Sequence, residues 1–502
     1  MEYKNIAMAF LIIFILQTSA FSQEYKIVDT GQENCYDTLI VITCPTQGEP
    51  YYGQDSQFDG NQFSFLDNGD GTVTDLNTGL IWQQFLFEDK YSYEDAIAVA
   101  DSFSLNGLND WRLPSIKELY SLIDFRGATG VSAAQSVPFI DTTYFEFRYG
   151  DETSGERFID AQYVSSTEYV GTTMNGNFTV FGVNFADGRI KGYGTTAPIG
   201  GDKLFEVRLV RGSSEYGINL FFDNNDGTIS DNATGLMWSK DDNGTGLNWE
   251  EALGWVSQKN QENFLGYNDW RLPNAKELQS IVDYTRSPQT TNSAAIDSLF
   301  EVTPIIDEGD SINYPFYWTS TTHADGPPDH QFIKAVYVAF GEALGFMEVP
   351  PNSGNYVLMD VHGAGAQRSD PKQGDPENYP HGFGPQGDVI RIYNFVRLVR
   401  DESPNTINNN ETELPGNFKL EQNYPNPFNP TTTIKFSLVE ENRTTLKIYN
   451  LIGSEVQTLI DEIRQPGNYE ITFNARGLTS GVYFYSLASG NFSDTKKMIL
   501  LR

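Results

Sequence analysis

The sequence is poor in the residues that build metal centres and in positive charge. Its 502 residues include only two cysteines and four histidines. Lys and Arg number 33 against 67 Asp and Glu, which leaves a formal net charge of −34. Because no basic stripe offsets this charge, we expect neither a nucleic acid nor an anionic membrane as a partner.

Long apolar runs are also missing, except at the N-terminus. Lys4 precedes the apolar stretch Ile6–Leu16, and the small residues Ala20 and Ser22 follow it. This order is typical of a secretory signal peptide over residues 1–22. The stretch is shorter than the roughly 20 residues that a membrane-spanning helix needs. We therefore predict cleavage before Gln23 and no transmembrane segment in the exported chain.

The two cysteines, Cys35 and Cys44, lie in the N-terminal segment 23–59. An exported chain meets an oxidising environment, and the residues between the cysteines can form a small hairpin. No histidine lies nearby to complete a metal site. The pattern predicts a disulfide, with two free buried thiols as the alternative.

Three sequence blocks occur twice in the same order. They are Asp67–Trp82 with Asp223–Trp238, Leu108–Leu119 with Tyr267–Leu278, and Val207–Arg211 with Val396–Arg400. Such ordered repetition predicts two tandem domains, at residues 60–213 and 214–401.

Each repeat carries signals for two helices and several strands. Asp-Gly pairs at 70–71 and 226–227 predict tight hairpins. Ser115 and Asn274 are followed three residues later by glutamate, the capping-box pattern of a helix start, and an earlier helix begins near Ser92 and Asn248. We predict an α+β fold in which an antiparallel sheet follows the helices and the final Val-Arg-Leu-Val-Arg strand completes that sheet.

The repeated blocks resemble the family of the C-terminal domain of the Legionella collagen-like protein. The resemblance rests on the Thr-Gly-Leu-Met-Trp turn, the Asp-Trp-Arg-Leu-Pro-Asn-x-Lys-Glu-Leu segment and the closing strand. It implies two C-type-lectin-like domains and an extracellular adhesin-like or ligand-binding role. The similar formylglycine-generating enzymes need a reactive cysteine pair that this chain lacks, so their chemistry is not expected here.

The C-terminal part differs from the repeats in charge and pattern. Residues 402–416 are polar and predict a linker. Residues 417–502 alternate apolar and polar side chains between turns, which predicts a small all-β, immunoglobulin-like sandwich. The segments Leu420–Pro430, Tyr449–Gly453, Leu478–Tyr483 and Lys496–Met498 resemble the sorting domain of the type IX secretion system. The resemblance implies the type IX machinery as a partner, and a secreted or outer-membrane surface location.

A glycine-rich stretch after Val361 has no counterpart in the first repeat, so we interpret it as an insertion. Loops on a shared scaffold often carry binding residues. The predicted ligand-binding residues are Asp360, His362, Gln367, Arg368, Asp370 and Lys372. The alternative is a long ordered loop that only covers the core.

Two acidic sets could hold calcium, which prefers carboxylate and carbonyl oxygens. They are Asp67, Asp70 and Asp75 in the first repeat, and Asp223, Asp226 and Asp231 in the second. Thr78 and Thr234 stand where an EF-hand has its bidentate glutamate. A plain hairpin turn is therefore the alternative.

No catalytic constellation stands out in the sequence. Arginines 112, 208, 271 and 397 are expected to form internal ion pairs, and tryptophans 82, 111, 238 and 270 to be core residues. We predict a non-catalytic binding or adhesion protein for carbohydrate or extracellular matrix. The acidity favours neutral or cationic glycans, or calcium-bridged anionic ones, over direct heparin binding. The alternatives are a carbohydrate-active hydrolase with its site in the insertion, and a purely structural surface layer.

Overall fold

The computed structural model describes residues 24–197, 200–402 and 418–501, with gaps at 421, 424–425, 441, 452, 465, 476–477 and 491. The predicted signal peptide and, apart from residue 402, the predicted linker lie outside the described residues. The chain forms two compact units, residues 1–404 and 405–502. Within the described ranges, no helix has the length and apolar character needed to cross a membrane.

The first unit begins with the N-terminal segment and the first repeat. Their elements are β1 (Cys35–Tyr36), β2 (Val41–Ile42), β3 (Phe65–Asp67), β4 (Thr72–Asp75), β5 (Ile81–Gln83), α1 (Tyr93–Ser102), α2 (Ile116–Ser121), β6 (Gln162–Glu168), β7 (Thr179–Asn184), β8 (Arg189–Gly194) and β9 (Val210–Arg211). The predicted disulfide between Cys35 and Cys44 is confirmed, and it ties the β1–β2 hairpin.

The second repeat follows the same order and adds strands. It comprises β10 (Phe221–Asp223), β11 (Thr228–Asp231), β12 (Leu236–Ser239), α3 (Trp249–Gln261), α4 (Ala275–Ser280), α5 (Pro288–Thr291), β13 (Ile305–Ile306), β14 (Ile312–Asn313), β15 (Phe316–His323), β16 (Lys334–Ala339), β17 (Leu344–Glu348), β18 (Tyr356–Asp360), β19 (Gln367–Pro371) and β20 (Val399–Asp401). The predicted caps are present, since the side chains of Ser92, Ser115, Asn248 and Asn274 accept backbone N–H groups of the helices that follow them.

The two repeats build one six-stranded antiparallel sheet, in the order β15-β16-β19-β8-β7-β6. Each repeat supplies three neighbouring strands, and β8 meets β19 in the middle, where Ile190 pairs with Gln367. β19 therefore takes the place in repeat two that β8 takes in repeat one. Residues 367–371 do not belong to an insertion, because they form a strand of the shared sheet. The hairpin β17–β18 is the extra segment of repeat two.

The prediction that the Val-Arg-Leu-Val-Arg strands complete this large sheet is wrong. β9 pairs with β5 at Trp82 and Val210, and β20 pairs with β12 at Trp238 and Val399. Each strand thus returns to the first hairpin of its own repeat and closes a separate four-stranded sheet.

One hydrophobic core runs through both repeats. Phe181 of the first repeat packs on Tyr284 of the second, with ring centroids 4.8 Å apart. Phe139 lies 5.4 Å from the ring of His323. The repeats, predicted as two domains, therefore pack as a single compact body, and the predicted boundaries stay predictions.

Two buried lysines join the repeats reciprocally. Lys117 of α2 donates a hydrogen bond to the carbonyl of Ser280 (2.6 Å), and Lys276 of α4 donates to the carbonyl of Ser121 (2.9 Å). Each ammonium group thus caps the C-terminal end of the other repeat's helix, where the helix dipole favours a cation. Burial lowers the pKa of Lys117 to about 8 and that of Lys276 to about 7.

The second unit is all β. Its strands are β21 (Lys419–Leu420), β22 (Thr431–Leu438), β23 (Asn442–Asn450), β24 (Glu455–Arg464), β25 (Gly467–Asn474), β26 (Gly481–Ser489) and β27 (Phe492–Leu500). They form one sheet in the order β21-β22-β25 and another in the order β24-β23-β26-β27. The β-rich character of the chain is as predicted, whereas the C-type-lectin-like and immunoglobulin-like assignments stay predictions.

Candidate binding groove in the second repeat

A groove with a cavity of about 510 Å³ lies in the second repeat, beside the hairpin β17–β18. Five aromatic residues line it: Phe316, Phe346, Tyr379, Tyr393 and Phe395. Phe316 and Phe395 are buried, whereas the ring of Tyr393 is 46% exposed. A concave, largely aromatic surface of this size is suited to a small organic ligand or to a few units of a polymer.

Arg391 is the main polar group of the groove. Its guanidinium lies 3.9 Å from the centroid of the Phe316 ring and donates two hydrogen bonds to Glu308, at 2.9 and 3.0 Å. Its remaining nitrogen, Nη1, is buried and has no hydrogen-bond partner among the described residues. A stacked and paired guanidinium holds its position well, so the Arg391 side chain is a rigid part of the groove wall.

Asp370 holds the backbone that carries Arg391. Its Oδ2 accepts hydrogen bonds from the backbone N–H groups of Arg391 and Ile392 and from Nδ2 of Asn394, each at 3.1 Å. Ile392 has φ of 62°, a conformation that costs a β-branched residue about 1–3 kcal/mol. Asp370 stabilises this strained turn, and burial raises its pKa to about 6.

Asn394 supplies a second polar atom at the groove. The residue is buried and lines the cavity. Its Nδ2 donates to Asp370, which leaves its Oδ1 without a partner in the described parts of the chain. Arg391 Nη1 and Asn394 Oδ1 are both buried behind the wall, so the surface that a ligand meets in the groove is mainly aromatic.

The six residues predicted to bind a ligand are all buried. Asp360 accepts hydrogen bonds from the Tyr169 hydroxyl (3.0 Å) and the backbone N–H of Gly363 (2.7 Å), and burial raises its pKa to about 7. His362 Nε2 lies 2.8 Å from Asp388, which also pairs with Arg368. These side chains tie the extra hairpin to the shared sheet.

The remaining two of the six make structural contacts elsewhere. Gln367 accepts a hydrogen bond from the backbone of Ile190 (3.3 Å), and Lys372 donates to the carbonyl of Asp37 (2.7 Å) above the Trp249 ring. All six are buried, and a direct binding role for them stays a prediction. Of the six, Asp370 hydrogen-bonds to residues that line the groove.

The acidic sets predicted for calcium serve their own turns. Oδ1 of Asp67, Asp70 and Asp75 accepts backbone N–H groups of Gly69, Thr72 and Asn77. In the second repeat, Asp223 pairs with Lys240, Asp226 accepts from Thr228, and Asp231 accepts from the backbone of Leu220. No group of three or more His, Cys, Asp or Glu side chains in the described ranges could hold a metal ion. The geometry favours the hairpin alternative, and calcium binding stays a prediction.

The arginines predicted to form internal ion pairs divide into two kinds. Arg112 and Arg271 form bidentate pairs with Glu118 and Glu277, as predicted. Arg208 instead donates to the carbonyls of Gln83, Gln84 and Glu146. Arg397 likewise donates to the backbone carbonyls of Ser239, Lys240 and Glu301. The prediction of an acidic partner is therefore wrong for Arg208 and Arg397. The four tryptophans predicted for the core are buried.

Comparison with known proteins agrees with the sequence resemblances. The Lcl C-terminal domain matches residues 71–211 and again 227–361. A secretion system C-terminal sorting domain matches residues 422–501, which supports export through type IX secretion and implies secretion with attachment to the cell surface. A search of the curated proteins finds no match.

Among solved structures, the chain is similar to PorZ, an essential bacterial surface component of the type IX secretion system of Porphyromonas gingivalis. The identity is 12% and the TM-score 0.14, over 89% of this chain and 60% of that protein, so the chain spans less than two thirds of the length of PorZ. The two matches to the Lcl C-terminal domain cover more than half of the 502 residues. This chain belongs to the Lcl C-terminal domain family.

Proposed function

We propose that this chain is an exported, non-catalytic protein that binds carbohydrate through the groove of the second repeat. The observation that carries the proposal is the aromatic wall of the groove, in which the Tyr393 ring is 46% exposed. Sugar rings have apolar C–H faces that pack on aromatic rings, and the exposed carboxylate of Glu377 beside the wall can accept a hydrogen bond from a sugar hydroxyl group.

The charges of the groove favour a neutral sugar. Of the charged residues that line it, Glu308 and Glu377 outnumber Arg391, whose charge already faces Glu308. A sulfated or uronate-rich polymer would be repelled by the remaining carboxylate and by the acidic chain as a whole. Neutral polysaccharides are therefore the expected ligands, without a calcium bridge.

The test is binding of the full exported chain to neutral polysaccharides and to heparin, each with calcium and with chelator. Tyr393→Ala removes an exposed ring from the groove, and Phe222→Ala removes another exposed ring from the small sheet of the same repeat. A stacking contact contributes about 1–2 kcal/mol, so Tyr393→Ala should weaken neutral-glycan binding about five- to thirtyfold. Phe222→Ala should leave it unchanged.

Three results would contradict the proposal. Equal losses in the two variants would show that the groove is not the site. New chain ends appearing in the polysaccharide during incubation would show a hydrolase instead of a binding protein. Salt-sensitive heparin binding that survives the chelator would overturn the preference for neutral glycans.

A further inference from the structure

Part of the N-terminal segment covers one face of the second repeat. The covering stretch is Tyr51–Phe58, here called the cover. The ring of Tyr51 packs on the ring of Trp249, with centroids 6.4 Å apart. Asp55 is buried and accepts a hydrogen bond from the Thr321 hydroxyl at 2.5 Å. The cover therefore binds this face through both apolar and polar contacts.

Two further contacts complete the cover. Gly53 approaches the side chain of Leu253 so closely that a Cβ on the glycine would lie 3.6 Å from it. The guanidinium of Arg271 lies 5.8 Å from the ring of Phe58. This face of the second repeat is therefore covered by aromatic residues, a glycine and a carboxyl group.

The first repeat has an equivalent face. Tyr93, Ile97, Arg112 and Thr167 take the positions of Trp249, Leu253, Arg271 and Thr321. Shared hydrogen bonds fix this correspondence. Thr167 accepts the backbone N–H of Ile116 at 2.9 Å, as Thr321 accepts that of Ala275 at 3.0 Å.

The equivalent face is open. Ile97 is 40% exposed, whereas its counterpart Leu253 is 1% exposed. Ser166 is exposed as well, although its counterpart Ser320 is buried. A cavity of about 440 Å³ lies over this face and is lined by Tyr93, Ile97, Arg112 and Ser166 among others. The same surface is covered in the second repeat and uncovered in the first, and a concave, uncovered surface of this size is typical of an interaction site.

We propose that this open face of the first repeat docks an extended segment of a partner polypeptide. The cover shows which segment fits: a glycine at Ile97, a hydrogen-bond acceptor for Thr167 and an aromatic ring at Arg112. The exposed carboxylates Asp101 and Glu168 border the face, so basic residues flanking the segment strengthen its binding. This site is separate from the proposed glycan groove, and its test does not depend on glycan binding.

The probe is a labelled synthetic peptide of the chain's own residues Tyr51–Phe58 with two lysines added at each end, titrated into the full exported chain. We expect one saturable site per chain and at least tenfold weaker binding when Ile97→Asp places a charge on the face. Leu76→Asp is the control, because Leu76 is an exposed side chain of the same repeat that does not line the cavity. It should bind the peptide as the parent chain does. A peptide with Asp55→Ala should bind at least tenfold more weakly.

Ser166→Arg provides a second block, since it fills the cavity from an exposed strand position. Both blocking variants should melt at the temperature of the parent chain. No binding at millimolar peptide, or binding that neither variant weakens, overturns the proposal. Concentration-dependent dimers in sedimentation that Ile97→Asp abolishes would identify a second copy of this chain as the occupant and overturn the assignment to a partner.

Discussion

The shared sheet and core predict that neither repeat folds alone. The perturbation is to express residues 24–213 and residues 214–402 as separate chains. The cut removes the Ile190–Gln367 pairing, both lysine bonds and the salt bridge between Arg189 and Asp325 at 2.6 Å.

The loss in the free energy of unfolding can be worked out from the contacts between the two halves. Phe139, Phe181 and Ile190 are fully buried and pack in the core that both repeats share. Exposing each costs about 1.5–3 kcal/mol, and matching residues of the second repeat lose as much, so each half loses about 5–9 kcal/mol. Native domains are stable by only about 5–15 kcal/mol. Each half should therefore be unfolded or molten.

Circular dichroism and thermal melting of the two fragments check this expectation. We expect no cooperative transition from either fragment alone, and recovery of one when the two are refolded together. Residues 24–404 are the matched control, because that cut falls between the two compact units and should leave the melting temperature unchanged. A fragment that melts cooperatively within a few degrees of the intact unit would refute the reasoning.

Three further predictions concern single features. Replacing Cys35 and Cys44 by serine opens a loop of about ten residues and should destabilise the segment that carries the disulfide by about 2–3 kcal/mol, measured as faster proteolysis of residues 24–59. Burial raises the pKa of Asp55 to about 7 from 3.8, so the folded state holds a proton that the unfolded state has lost, and stability falls as pH rises from about 4 to 7. An asparagine at position 55 does not titrate, so Asp55→Asn should flatten that fall between urea titrations at pH 5 and pH 8. Its single amide oxygen can still accept both hydroxyl bonds that now reach Oδ2. An unchanged difference in stability between the two pH values would contradict this. Deleting residues 418–502 should leave the protein in the periplasm with its first unit folded, and its normal appearance in the medium, measured by immunoblotting of the fractions, would show that the tail does not direct export.

The sequence predicted the local features of the fold well. Ser115 and Asn274 cap helices, and the Asp-Gly turns form hairpins, because these signals act over three or four neighbouring residues. The alternating pattern of the tail likewise predicted an all-β module, and the described part of the tail consists of strands and turns. Such features depend on no distant partner.

The features that join distant residues could not be predicted in the same way. β19 shares no recognisable sequence with β8, so similarity alone placed Gln367 and its neighbours in an insertion. The groove was missed for a related reason. Tyr379 and Tyr393 lie outside the repeated blocks and outside helices and strands, where no periodicity marks a residue as part of a site. The signal that could have pointed to the groove is the stretch that contains Tyr379 and Tyr393, which the first repeat lacks.

Joining the two repeats in one chain has a consequence for a protein that works outside the cell. Two separate copies that shared a sheet would part on dilution, since their association would depend on concentration. A covalent connection makes that association intramolecular, with an effective concentration that dilution does not change. It also frees the halves from being identical, so the face that the cover closes on one half can stay open on the other. A symmetric pair of identical chains would have both faces covered or both exposed.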